Sequence, residues 1–181
     1  MVANCGYADA PQGRKLLEYH GPNLEAHVGL DRTWTKDQRR APKPDKSNLR
    51  ALIDTGAQES CIDGALAIEL GLPVVNQRYV GGVGLVKVDV HNAQVHLPML
   101  LYTIHGPFAA IPGLIDRIHY PIVLGRSFLR VCKLSYNGKI GAVNRRSSAK
   151  NSAVFDRSDV RRHDHPIYQP RRYELNLSLP G

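Results

Sequence analysis

Leu49-Arg50-Ala51-Leu52-Ile53-Asp54-Thr55-Gly56-Ala57 is a mostly apolar run that breaks off in a carboxylate, a hydroxyl and a glycine. A short aliphatic stretch of this kind suits a buried strand, and Gly56 allows a tight turn at its end. Asp54 is then presented at a strand terminus. Two readings follow. In the first, Asp54 sits in a polar turn and is satisfied by neighbouring backbone N–H groups. In the second, it is catalytic. Hydrolysing a peptide without a metal or a covalent intermediate needs a base for water and an acid for the carbonyl. Two close carboxylates sharing one proton supply both, because like charges so near each other cannot both ionise.

Downstream, Asp63 to Gly71 has a capping Asp, apolar residues at 65, 66, 68 and 70, and a terminal Gly, which predicts a helix of about two turns. Tyr79-Val80 and Leu85 to Val90 flank Gly81-Gly82-Val83-Gly84, predicting two strands joined by a glycine-rich hairpin tip. A phosphate-binding loop is the rival for that glycine run, but no helix with a Lys-Ser/Thr start follows it. Ala93 to Ile104 is rich in strand formers. Pro121-Ile122-Val123-Leu124-Gly125 predicts a buried strand stopped by Gly, and Arg126 to Val131 a helical turn. Asn137-Gly138, between Cys132–Tyr136 and Lys139–Val143, predicts a second hairpin.

Upstream, Leu16–Tyr19 and Leu24–Leu30 read as a hairpin around His20-Gly21-Pro22-Asn23, and residues 1–13 as a loose arm. Residues 32–48, with Pro42, Pro44 and many charges, read as an exposed loop, and residues 144–181 as a basic, flexible tail with one candidate edge strand at Tyr173–Leu179. The fold class that results is mostly β, a closed or sandwiched domain with one or two small helices.

The net charge of +8 is concentrated in the 32–50 and 144–181 segments, which are solvated surface or candidates for weak nucleic-acid contact. Three cysteines cannot all pair within the chain, and the first residues lack the basic start and apolar stretch of a secretory signal. A reducing, cytoplasmic setting is expected, with no membrane span. His91, His96 and His105 are spaced unlike a compact metal motif, so no metal or other cofactor is expected.

Three segments together resemble the retropepsin-like aspartic proteases, the family of retroviral proteases and their cellular relatives. Ala51 to Ala57 is similar to the catalytic motif, Tyr79 to Val88 to the flap, and Ile122-Val123-Leu124-Gly125-Arg126 to the segment that supports the active-site loop. They occur in the family's order, and the likeness spans about residues 14–143. The resemblance implies a retropepsin-like acid protease fold, one lobe per chain. It implies Asp54 as the catalytic carboxylate, Thr55 in a hydrogen-bonded interlock with its symmetry mate, and Gly56 holding substrate backbone. Ala57 and Arg126 would support the site. Gly81, Gly82, Val83 and Gly84 would form the flap tip over a polypeptide substrate, and Val83 and Val123 would line subsites.

Only one Asp-Thr-Gly occurs in the 181 residues. The resemblance therefore implies a homodimer with both Asp54 residues at its twofold axis. Gln58 stands where retroviral enzymes usually carry an acid that pairs with the Gly-Arg arginine, so Arg126 is expected to turn to Glu59 or elsewhere. The function implied is an aspartic endopeptidase. A catalytically weak dimerisation module and a nucleic-acid-associated protein are the alternatives.

Overall fold

The computed structural model describes residues 3–82, 84–139 and 141. The strand that leads to Asp54, β2 (Lys46–Ile53), buries Ala51 and Ile53 and turns Arg50 and Leu52 outward, the alternation a one-sided strand requires. It runs antiparallel to β1 (Asn23–Gly29) and parallel to β7 (Ile122–Leu124). All three residues of β7 are buried, because it lies between β2 and the short β3 (Cys61–Asp63). An uninterrupted apolar run is what a strand covered on both faces needs.

β3 pairs in parallel with β6 (Tyr102–Ile111), and β6 pairs antiparallel with β5 (Gly84–Leu97). The second half of β5 returns to β1 through His27–His96, Val28–Val95 and Gly29–Gln94. The order β1-β2-β7-β3-β6-β5-β1 thus closes on itself, as a barrel without free edges. Its core includes Leu17, Leu24, Val28, Ile62, Val95, Leu97, Phe108 and Leu124. The first half of β5 leaves the barrel and pairs with β4 (Val74–Gly82), which forms an outlying hairpin. The expected mostly β, closed domain is what the chain adopts, with four short helices among the described residues rather than one or two.

The helix expected after Asp63 is present as α2 (Gly64–Glu69). Asp63 is almost wholly buried. One of its carboxylate oxygens accepts the Leu66 N–H at 3.0 Å, and the other accepts the Ile115 N–H at 3.2 Å, from the start of α3 (Leu114–Ile118). Asp63→Ala removes a cap and leaves a buried N–H unpaired, so it is expected to cost about 2 kcal/mol in urea unfolding. The helical turn after Gly125 is α4 (Arg126–Leu129).

The N-terminal third departs from expectation. Residues 16–19 are not a strand but part of α1 (Gly13–His20), which buries Leu17. Arg14-Lys15-Leu16-Leu17-Glu18 are all strong helix formers, and a four-residue apolar patch cannot by itself separate helix from strand. Gly21, at φ 66°, ends the helix with its N–H on the Leu17 carbonyl, and Pro22 prevents continuation. The hairpin partner of β1 is β2 instead. Residues from Ala3 onward are not a loose arm: Ala3 and Cys5 are buried in the core, and the Cys5 carbonyl accepts the Asn23 N–H. The Tyr7 N–H reaches the Gly141 carbonyl, so both ends of the described chain meet beside α1. Around Asn137-Gly138, Asn137 is an isolated bridge residue and Gly138-Lys139 a turn, with no strand on either side among the described residues. Tyr173–Leu179 lies outside the described residues.

The loop before β2 is largely exposed but anchored. Trp34 is buried with its indole N–H on the Arg40 carbonyl. Asp31 accepts from the Thr33 hydroxyl, the Arg40 guanidinium and the Lys43 N–H. These bonds, the Thr33 hydroxyl foremost, hold its carboxyl well below the usual carboxylate range. A depressed folded-state pKa stabilises above the unfolded value near 4 and is lost only as pH falls through the folded one. The loop is therefore expected to stay tethered at pH 5. Asp31→Ala should make trypsin cut at Arg39 and Arg40 several-fold faster, read by timed digestion and mass spectrometry.

Candidate active site

Asp54 begins the connection from β2 to β3, and its N–H donates to the Leu124 carbonyl of β7 at 3.1 Å. The side chain is half-buried. Its Oδ1 accepts the Gly56 N–H at 2.7 Å, which fixes one face of the carboxylate. A side chain at Gly56 would bring a Cβ within 3.1 Å of that oxygen, so the glycine keeps the carboxylate uncrowded. Thr55 and Gly56 are exposed, and the Thr55 hydroxyl makes no hydrogen bond within the described residues.

The loop is stitched to the β7–α4 turn along its length. Arg126 N–H donates to the Ala57 carbonyl at 2.9 Å, and Ser127 N–H to the Gln58 carbonyl at 3.1 Å. The Ser60 N–H donates to Ser127 Oγ, and the buried Ser60 Oγ accepts the Gly125 N–H at 3.1 Å. The Arg126 guanidinium does not take Glu59. It donates to the Thr55 and Gly56 carbonyls at 3.0 Å each. Glu59 is paired with Arg78 of β4 instead. With an amide at Gln58, backbone carbonyls are the acceptors nearest to the arginine, and they let it brace the Asp54 loop directly.

Beside this loop lies a hollow of about 630 Å³. Ala57, Gln58, Glu59 and Cys61 form its floor, Tyr79, Gly81, Val86 and Val88 of the β4–β5 hairpin its roof, and Ile111 and Arg117 its far wall. Asp54 stands at its rim rather than in its lining. It is near enough to Cys61 for its charge to act on the thiol. Burial first, and Asp54 second, push that thiol up to about 12, so Cys61 stays protonated and is no nucleophile near neutral pH. The hairpin itself is tight: Gly82 faces Gly84 across the two strands, and Val83 lies outside the described residues. Val123 lines no part of the hollow. It is buried between Leu52 and Cys61 and serves to hold β2 and β3 together.

Asp54, Thr55, Gly56, Ala57 and Arg126 are thus brought into one hydrogen-bonded loop, with Gly81 above the adjoining hollow. The Glu59–Arg78 pair, which ties the floor to the hairpin, and Arg117 were not legible as members of this site. Neither falls in a motif, and their partners are distant in sequence. The three histidines of β5 and β6 are separate: His91 bonds the Leu72 carbonyl, His96 the Thr103 hydroxyl, and the ring of His105 meets Trp34 edge-on. No described helix is long and apolar enough to cross a membrane.

No family model and no curated protein matches the chain. Solved structures similar to it include two that each cover 60% of its length. One is the foamy viral protease-reverse transcriptase in complex with an RNA/DNA hybrid, at 15% identity and a TM-score of 0.41. The other is the simian foamy virus (mac) protease in solution, at 16% identity and a TM-score of 0.38. The chain spans 11% of the first protein and 91% of the second.

Proposed function

We propose that the chain is an aspartic endopeptidase whose site is completed by a second copy of itself. The observation that carries this reading is the presentation of Asp54. Its carboxylate is half-buried at a strand end, held by one local N–H, beside a hollow of about 630 Å³ flanked by the β4–β5 hairpin. A carboxylate that merely satisfied a turn would not need a loop braced by Arg126, Ser60 and Ser127. One carboxylate cannot be both acid and base, and the exposed Thr55 and Gly56 beside it leave room for an identical loop. The catalytic unit on this reading is residues 14–143.

In the dimer, the two Asp54 carboxylates share one proton. The ionised one takes a proton from water as it attacks the scissile carbonyl, and the protonated one donates to the carbonyl oxygen. Protons then return as the amine leaves. One carboxylate must be ionised while the other is protonated, so activity is expected to be bell-shaped in pH with a mildly acidic maximum. The β4–β5 hairpin would cover the substrate and exclude water. Aliphatic walls at Val86, Val88, Ala109 and Ile111 favour bulky apolar side chains near the cut. The test is a library of apolar-centred decapeptides over roughly pH 3–8, the span in which such a dyad titrates. Cleavage blocked by a pepstatin-type inhibitor supports the reading; intact dimer that cuts nothing refutes it.

A further inference from the structure

On the outer side of β2 is a second hollow, open and of about 690 Å³. Tyr19 and His20 of α1, Arg50 and Leu52 of β2, and Arg117 and His119 around the end of α3 line it. Arg117 also lines the hollow under the hairpin, so the two spaces share one arginine. Arg50, Leu52 and Asp54 alternate with the buried Ala51 and Ile53 and therefore share one face of the chain. The outer hollow thus begins on the side of the chain from which Asp54 projects.

Its lining carries two arginines and no carboxylate. The acid nearest Arg50 is Glu25, opposite it across the β1–β2 pair, and Glu25 Oε1 lies 3.0 Å from His27 Nε2. Neither the Arg50 nor the Arg117 guanidinium makes a salt bridge or side-chain hydrogen bond among the described residues, and Arg50 acts by its charge on the Tyr120 hydroxyl. Both arginines are exposed. Tyr7 and Tyr120 close the hollow at the back, where both hydroxyls meet the buried Asn23 amide, at 2.6 and 3.1 Å. An aromatic and aliphatic wall carrying two guanidinium forks with no salt bridge among the described residues suits a carboxylate on a flexible stem, bound by bidentate, charge-assisted hydrogen bonds.

We propose that this hollow is a specificity site for an acidic side chain of the peptide substrate, away from the bond that is cut; the inference rests on the protease reading above. A strand rises about 3.3 Å per residue, which puts Arg50 about 13 Å from Asp54 along β2 and an extended peptide's acidic side chain about four residues from the cut. Arg50 and Arg117 are then specificity-determining residues, and Leu52 and Tyr19 pack the stem of the acidic side chain.

The experiment uses full-length dimer and apolar-centred decapeptides carrying Glu, Gln or Lys at the third to fifth positions either side of the centre. Two ratios are measured, Glu over Lys: kcat/KM in the active protein, and binding by fluorescence anisotropy in Asp54→Asn. Each ratio cancels any general loss of folding or activity. The expected preference for Glu is about five-fold at one or two positions, modest because exposed ion pairs are weak, and shrinking with added salt. Arg50→Glu and Arg117→Glu should bring the ratio to one or invert it, and Arg50→Lys should keep part of it. A ratio near one at every position, or a preference that survives both charge reversals, overturns the inference. Cleavage without charge preference leaves the protease reading standing and removes only this one. Charge-selective binding without cleavage does the opposite.

Discussion

Asp54→Asn is expected to abolish peptide hydrolysis and to leave the fold intact. Asn can still accept the Gly56 N–H through its side-chain oxygen, as Asp54 does at 2.7 Å, and it fills the same volume. The β2–β7 pairing and the bracing by Arg126 involve backbone atoms that the substitution does not touch. The melting temperature should therefore be nearly unchanged. The chemistry is lost because an amide neither takes nor gives the proton that the dyad passes to and from water. General acid–base catalysis alone is worth about 10²–10⁴-fold, and here both roles go at once, so a fall of at least about 10³ in kcat is expected. Retained turnover in Asp54→Asn would mean that the carboxylate is only a turn-former.

The second large effect is expected at Gly125. Its backbone is extended, at φ −85°, so conformation places no demand for glycine there. Space does. A Cβ at this position would stand 2.6 Å from the Glu59 carbonyl oxygen, 2.7 Å from the Glu59 carbonyl carbon and 2.9 Å from the Ala57 carbonyl oxygen. All three are backbone atoms of the Asp54 loop, and none can swing away. Gly125→Ala must push the loop off the β7–α4 turn, lengthening the Arg126–Ala57 and Gly125–Ser60 bonds together. Such overpacking costs about 1–3 kcal/mol. In a domain of this size that corresponds to a fall of roughly 3–12 °C in melting temperature. Activity should drop more than stability does, because the displaced segment carries the carboxylate. Differential scanning calorimetry beside a peptide assay checks both, and a variant with unchanged melting and turnover would show that the close packing of these two turns is not required.

These two positions also mark how far the sequence could be read. Asp54 and Gly125 each directly follow a short apolar strand, and the strand and the turn after it are signalled by adjacent residues. The same is true of α2, whose cap, periodicity and terminating Gly71 all lie within nine residues, and of the β4–β5 hairpin with its central glycines. Where the outcome depended on partners far along the chain, reading failed. Leu16–Tyr19 became a helix because β1 found its neighbours in β2 and β5 rather than in the residues just before it. Ala3 and Cys5 are small residues in a polar stretch, with no periodic signal, yet the barrel end they close makes them core. β3 is three residues long, too short for any pattern, and exists because β6 and β7 flank it.

Within the site, the residues contiguous with Asp-Thr-Gly were legible, and the pairings were not. Arg126 bonds carbonyls at 55 and 56, and Glu59 goes to Arg78, because which charges meet is fixed by strand register and not by proximity in sequence. Val123 reads like a subsite residue but is enclosed by the strands on either side. The basic loop before β2 read as mere solvated surface, whereas Trp34 and Asp31 give it a fixed core of its own.

Mixing chains reveals whether Asp54 is half of a catalytic centre. Asp54→Asn chains are added to a fixed amount of wild-type protein and allowed to exchange, and activity is followed as their proportion rises. If each site needs one Asp54 from each of two copies, the activity per wild-type chain falls to about half at equal amounts and to about one-tenth at ten-fold excess, as wild-type chains are drawn into mixed dimers. Activity that stays constant however much Asp54→Asn chain is present would contradict the account.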